Sequence, residues 1–129
     1  MITAVDTSVL VAIAKGEADA ERWTAVLASA RGEGDLIICD VVAAEFFALL
    51  LDEEKFGQSL SGLGVVFSPT SLDAARLAGR LFRAYRRRGG PREHLVPDFL
   101  IGPTHSGRPT KLLRSTGAIC AATFPACEF

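Results

Sequence analysis

Three short apolar runs punctuate the chain up to residue 67, each separated from the next by stretches with helical spacing. Ile2-Thr3-Ala4-Val5 ends at Asp6, Leu36-Ile37-Ile38-Cys39 ends at Asp40, and Val65-Val66-Phe67 is closed by Ser68-Pro69-Thr70. The first two runs read as buried strands and the third as a short strand. Between the first two, Thr7 or Ser8 is placed to N-cap a short helix over residues 9–14. A second helix covers residues 17–30 with Trp23, Val26, Leu27 and Ala30 on one side, and Gly32 and Gly34 stop it. A strongly apolar helix covers residues 41–51, and residues 53–62 continue as a weaker helix or a linker. Residues 71–88 form a long helix that starts at Ser71 with Asp73, and Pro97 is suited to the first turn of another. Strands alternating with helices require parallel pairing through right-handed crossovers, so the chain reads as an α/β sandwich. In such a sheet, ligands sit beyond the carboxyl ends of the strands, the position of both Asp6 and Asp40.

At 129 residues the chain has room for one domain. An apolar fraction of 49% with 22% charged residues supplies a full core and argues against disorder. The apolar run at residues 41–51 is interrupted by Glu45, so it does not read as a membrane span. No basic patch precedes the first apolar stretch, as a secretory signal would require. The three cysteines (Cys39, Cys120 and Cys127) leave one unpaired and include no CxxC spacing, which suits a reducing cytoplasm and excludes a disulfide scaffold.

Three acids stand in apolar sequence. Asp6 ends the first strand, Glu45 interrupts Val-Val-Ala-Ala and Phe-Phe-Ala-Leu-Leu-Leu, and Asp98 lies between Leu95-Val96-Pro97 and Phe99-Leu100-Ile101. A buried carboxylate is costly unless paired, hydrogen-bonded or holding a cation. Taken singly, Asp6 and Asp98 also read as helix caps and Glu45 as half of a salt bridge. Taken together, oxygen donors without clustered Cys or His match a hard cation such as Mg²⁺ or Mn²⁺, which points to phosphodiester chemistry. No GxxxxGK[ST], GxGxxG or GxSxG motif is present, and neither His94 nor His105 has an obvious nucleophile partner.

The segment Ala4-Val5-Asp6-Thr7-Ser8-Val9-Leu10 resembles the opening strand motif of PIN-domain ribonucleases. Asp40-Val41-Val42-Ala43-Ala44-Glu45 resembles that family's second acidic motif, and Leu95-Val96-Pro97-Asp98-Phe99-Leu100-Ile101-Gly102 its third. Length and motif order are similar to the VapC-type toxins of bacterial toxin–antitoxin operons. The resemblance covers about residues 1–102. It implies a three-layer sandwich with a central parallel sheet and helices on both faces. It also implies a Mg²⁺- or Mn²⁺-dependent endoribonuclease with Asp6, Glu45 and Asp98 as metal ligands, and Ser8 hydrogen-bonding in the pocket. Asp40 then reads as a helix N-cap. By the same resemblance the partners are an RNA substrate, a small cognate antitoxin and a second copy of the chain, with residues 41–51 the expected surface. Trp23, Phe46 and Phe47 read as core, dimer contacts or an antitoxin groove, with core for two of the three.

Charge is divided along the chain. Residues 1–70 carry 4 basic and 11 acidic side chains, and residues 71–129 carry 10 basic and 4 acidic. In the helix at 71–88, Leu72, Ala75, Phe82 and Tyr85 are expected to face the core. Arg76, Arg80, Arg83 and Arg87 recur three or four apart as a separate stripe, which reads as a solvated face, an RNA backbone contact or a seat for an acidic antitoxin tail.

After Gly102 the likeness stops, and residues 103–129 show no clear period. Family members carry an Asp about 18 residues beyond the third motif, near Thr116 in this chain, and the only acid after Asp98 is Glu128. That loss leaves a second reading, a PIN-fold module that binds an antitoxin or partner subunit without catalysis. A tail read in a shifted frame, in the gene or through a sequence error, accounts for the departure. If each codon begins at the third base of the one before, Pro103-Thr104-His105 can become Ala-His-Ala and Thr116-Gly117-Ala118 can become Asp-Arg-Gly. A shift in the molecule itself implies loss of the last strand and of the fourth acid.

Overall fold

The computed structural model describes residues 2–89, 110–115 and 119–124. The elements in order are β1 (Ile2–Val5), α1 (Thr7–Ala14), α2 (Ala20–Glu33), β2 (Leu36–Ile38), α3 (Asp40–Leu50), α4 (Glu53–Leu63), β3 (Val65–Phe67), α5 (Leu72–Arg87), β4 (Thr110–Ser115) and β5 (Ile119–Phe124). The strands form one sheet in the order β3-β2-β1-β4-β5. The first four strands pair in parallel and β5 pairs antiparallel to β4. All four residues of β1 are buried, because it lies between β2 and β4 with side chains covered above and below.

Handedness distributes the helices. The chain steps from β1 to β2 and on to β3 in one direction, then returns across β1 to β4. Right-handed crossovers of that order assign the β1-to-β3 connections, with α1 to α4, and the β3-to-β4 connection, which opens with α5, to opposite faces. The first four helices pack as a group, α1 against α2 and α3, and α4 against α3, α2 and β3. Trp23, Leu27 and Ala30 form the inward face of α2, as their spacing predicts. The indole N–H of buried Trp23 donates to Asp19 Oδ2 at 3.0 Å, so no polar group is stranded. Phe46 is fully buried, and its ring tilts against Phe56 of α4 at 5.8 Å between centroids. Phe47 meets the same ring edge-on at 5.5 Å while remaining 37% exposed. Two of the three large aromatics are thus core.

Several elements differ from their sequence reading. The chain takes two turns at residues 15–19, so α2 begins at Ala20 rather than at 17. Residues 53–63 are a helix and not a linker, capped by Asp52, whose carboxylate accepts from the Lys55 N–H at 3.0 Å. Neither Thr7 nor Ser8 caps α1: Asp6 does, with its carboxylate accepting the Ser8 N–H, and Thr7 is buried. At about 100° per residue, the inward face of α5 centres on buried Ala74 and Ala78. Leu72 falls on the opposite side and is 69% exposed. Ala75 and Phe82 are half-buried at the boundary, and the side chain of Tyr85 is outside the described residues. The expected helix near Pro97 is also outside them. The tail, for all its lack of period, supplies β4 and β5, so residues 119–124 do form a last strand.

Gly64 ends α4 at φ +70°, a left-handed conformation that a Cβ disfavours, and the Arg31 guanidinium lies directly over its Cα. Gly64→Ala is expected to destabilise the fold by about 1–2 kcal/mol, measured by urea denaturation. Gly32→Ala, in open space, provides the matched control.

Candidate active site

Reversal of strand order makes a crevice at the carboxyl ends of the strands flanking the reversal. The order β3-β2-β1-β4 puts that point between β1 and β4, because the chain leaves β1 toward β2 and comes back on the other side. Asp6 stands there. It follows Val5 at the end of β1, and its backbone N–H donates to Leu113 O of β4 at 2.9 Å, extending the ladder by one residue. Its half-buried carboxylate is held by Ser8, whose Oγ donates to Oδ2 at 2.6 Å and whose N–H donates to the same atom at 3.3 Å. The cap of α1 thus fixes the orientation of the carboxylate at the crevice. Next to it, Thr7 Oγ1 is buried and has no hydrogen-bond partner among the described residues.

The neighbouring strand ends carry the second part. Cys39 occupies the N-cap position of α3 in extended conformation, and Asp40 is the first helical residue. Asp40 is therefore not the cap. Its Oδ1 accepts from Thr70 Oγ1 at 2.5 Å and from the Thr70 N–H at 3.3 Å, across 30 positions of sequence. Ser68 N–H donates to Ile38 O at 2.8 Å, so the segment after β3 is tied to both β2 and α3. The hydrogen bonds from Thr70 hold the Asp40 carboxyl below the ordinary aspartate range. Burial pushes the Cys39 thiol up, which keeps it protonated and unsuited to nucleophilic work.

Glu45 lies on α3 one turn after Val42 and directly before Phe46. Those two are buried and Glu45 is exposed. The apolar neighbours in sequence suggest a buried charge, but helical rotation sets Glu45 about 60° to one side of Val42 and about 100° from Phe46, where it is exposed and no burial cost attaches to it. Asp98 lies outside the described residues. Among the described residues no three His, Cys, Asp or Glu side chains gather closely enough to hold a metal ion. The chemistry of the donors does fit a hard divalent cation: an oriented aspartate at the crevice and an open glutamate, with no cluster of Cys or His among the described residues. No described helix is long and apolar enough to cross a membrane.

The PIN-domain family profile matches residues 3–102. The chain belongs to the PIN-domain family. The matched span stops at Gly102, where the motif likeness in the sequence also ends. No curated protein matches the chain. Among solved structures, the fold is similar to a chain of VapBC2 from Rickettsia felis, determined bound to a DNA fragment from their promoter. The TM-score is 0.58 at 19% identity, over 81% of this chain and 80% of that one. As a member of this family the chain has the α/β fold with a parallel sheet that the sequence predicts.

The link between Asp40 and Thr70 could not be read from sequence, since nothing local pairs positions 30 apart. It carries a pH signature. Stabilisation from the lowered carboxyl is complete above the unfolded value of about 4 and is lost as pH falls through the lower folded value. Thr70→Val is expected to reduce stability at neutral pH by at most about 1 kcal/mol, because water competes for the exposed Asp40 carboxylate. Thermal melts at decreasing pH should show the gap to the parent protein closing in the acid range.

Proposed function

We propose that this chain is a metal-dependent endoribonuclease of the VapC type, the toxin of a toxin–antitoxin pair, working in the cytoplasm on RNA phosphodiester bonds. The observation that carries the reading is Asp6, held by Ser8 at the crevice between β1 and β4 in a PIN-family chain. Asp6, Glu45 and Asp98 are the proposed ligands for Mg²⁺ or Mn²⁺. Such an ion supplies positive charge against the scissile phosphate and makes a nearby water easier to deprotonate. The chain's own contribution is positional. Ser8 donates to Asp6 Oδ2 and so holds the carboxylate in one orientation. Glu45, exposed on α3, presents a second carboxylate without having to leave the core. Hydrolysis forms a bond from the water oxygen to phosphorus and breaks the bond to the 3′-oxygen. A 5′-phosphate and a 3′-hydroxyl remain, the latter taking up a proton.

A small antitoxin and a second copy of this chain are the proposed partners. The likeness to a VapBC2 chain supports the first. The exposed apolar side chains Phe47, Leu49 and Leu51 at the end of α3 offer surface for either. The buried thiol of Cys39, free of any disulfide, suits a reducing compartment.

A non-catalytic PIN module is the second reading. It is favoured by the end of the family match at residue 102 and by Thr116 where the resemblance expects an aspartate. Ser115 closes β4, so position 116 follows the strand that flanks the crevice.

Purified protein is expected to cleave RNA with Mg²⁺ or Mn²⁺ and to stop on chelation. Asp6→Asn should lower the rate at least about 100-fold, the loss of about 3 kcal/mol of transition-state stabilisation, while circular dichroism stays unchanged. Cleavage that survives in Asp6→Asn would move the chemistry elsewhere. Absence of cleavage by the parent protein, with an antitoxin still bound, would favour the module. Light scattering at micromolar concentration is expected to give a dimer. Intact mass with peptide mapping of residues 115–129 tests the frame of the tail: peptides matching the sequence as written exclude a sequence error.

A further inference from the structure

Among the described residues, the outer side of α5 carries a strongly one-sided charge. Six arginines (Arg76, Arg80, Arg83, Arg86, Arg87 and Arg88) lie in the helix and its C-cap, against a single acid, Asp73. At about 100° per residue, Arg76, Arg80, Arg83 and Arg87 fall within an arc of about 60°. That arc lies opposite buried Ala74 and Ala78, and all four arginines are exposed. From Arg76 to Arg87 the row extends about 16 Å along the axis.

Helix stability does not explain the row. Solvated helix faces usually alternate charge, whereas like charges three and four apart oppose helix formation. The macrodipole favours cations in the last turn only, which covers Arg86 and Arg87 but neither Arg76 nor Arg80. Arg76 is close to Asp73 at 3.9 Å, with both side chains more than half exposed. Arg83, Arg87 and Arg88 make no ion pair among the described residues. A protein partner would need apolar anchors in the centre of its contact, and the exposed Leu72 lies about 20° outside the arc, at the first position of the helix.

Topology aims the row. Ser71 caps α5 directly after Thr70, which is bonded to Asp40 at the carboxyl ends of the strands. α5 opens the connection from β3 to β4, which must return from the carboxyl ends of the strands to their amino ends because the strands are parallel. Arg76 is thus the member of the row closest along the chain to the carboxyl ends, and Arg87 the most remote.

We propose that the outer face of α5 is a track for the RNA phosphate backbone, leading away from the carboxyl edge and indifferent to base sequence. This rests on RNA being the substrate, and it is tested through binding rather than cleavage. A fluorescein-labelled 20-residue oligouridylate is titrated in chelator at several salt concentrations with the full chain and with Arg83→Gln/Arg87→Gln. The logarithm of affinity should fall less steeply with the logarithm of salt in the variant, by about 1.4, or 0.7 per lost phosphate contact on a single strand. Arg83→Lys/Arg87→Lys should restore the parent slope, and an oligoadenylate of equal length should give the same change. Circular dichroism confirms that the variants retain their helix content. An unchanged slope and affinity in the glutamine variant overturns the track. So does a variant that keeps its RNA slope but no longer binds poly-L-glutamate, which would assign the face to an acidic protein. A lowered slope supports the track whether or not the same preparation cleaves RNA with Mg²⁺, which is the separate test of the nuclease reading.

Discussion

Parallel pairing on both sides of β1 is the constraint from which the rest of the molecule follows. A four-residue strand with every side chain buried can exist only in the middle of a sheet, with layers above and below. Its neighbours β2 and β4 are reached by crossovers in opposite directions. That one reversal assigns the connections with α1 to α4 and the connection that opens with α5 to opposite faces, and opens the crevice at the end of β1. The aspartate that ends β1 also caps α1, so strand end, helix start and crevice are set by the same residue.

Position at that crevice gives the family membership its chemical content. The profile match says what the chain is related to, and the hydrogen bonds say which carboxylate is held. The reading of Asp6 stands on sheet geometry together with the match. The reading of Glu45 stands on motif and exposure, with a less specific local structure. β4 contributes a backbone carbonyl to Asp6, so the segment past residue 102 takes part in shaping the crevice even though the match does not extend to it.

What was legible in the sequence was whatever depends on neighbours in the chain. The apolar runs at 2–5, 36–38 and 65–67 are strands, and the spacing of Trp23, Leu27 and Ala30 gave the buried face of α2. Misreadings arose where a residue's type was taken for its direction. Leu72 is apolar yet points outward, because Ala74 and Ala78 define the packed side of α5. Glu45 sits among apolar residues in sequence and faces outward for the same rotational reason. Of the two cap readings for α1, Asp6 holds and Thr7 or Ser8 does not, whereas the cap of α3 falls on Cys39, one residue before Asp40, whose carboxylate is taken up by Thr70. The strands of the tail were invisible because β4 exists by pairing with β1, more than a hundred positions away.

The other edge of the sheet has a consequence for solubility. β3 is its outer strand, and Val66 and Phe67 are more than half exposed there. An unpaired apolar edge is the usual template on which foreign strands add. With three residues, β3 offers an incoming chain only one or two backbone hydrogen bonds before Pro69 interrupts the donors. Brevity therefore protects this edge where polarity does not, and lengthening β3 by even two residues would turn a tolerated apolar surface into a nucleus for sheet growth.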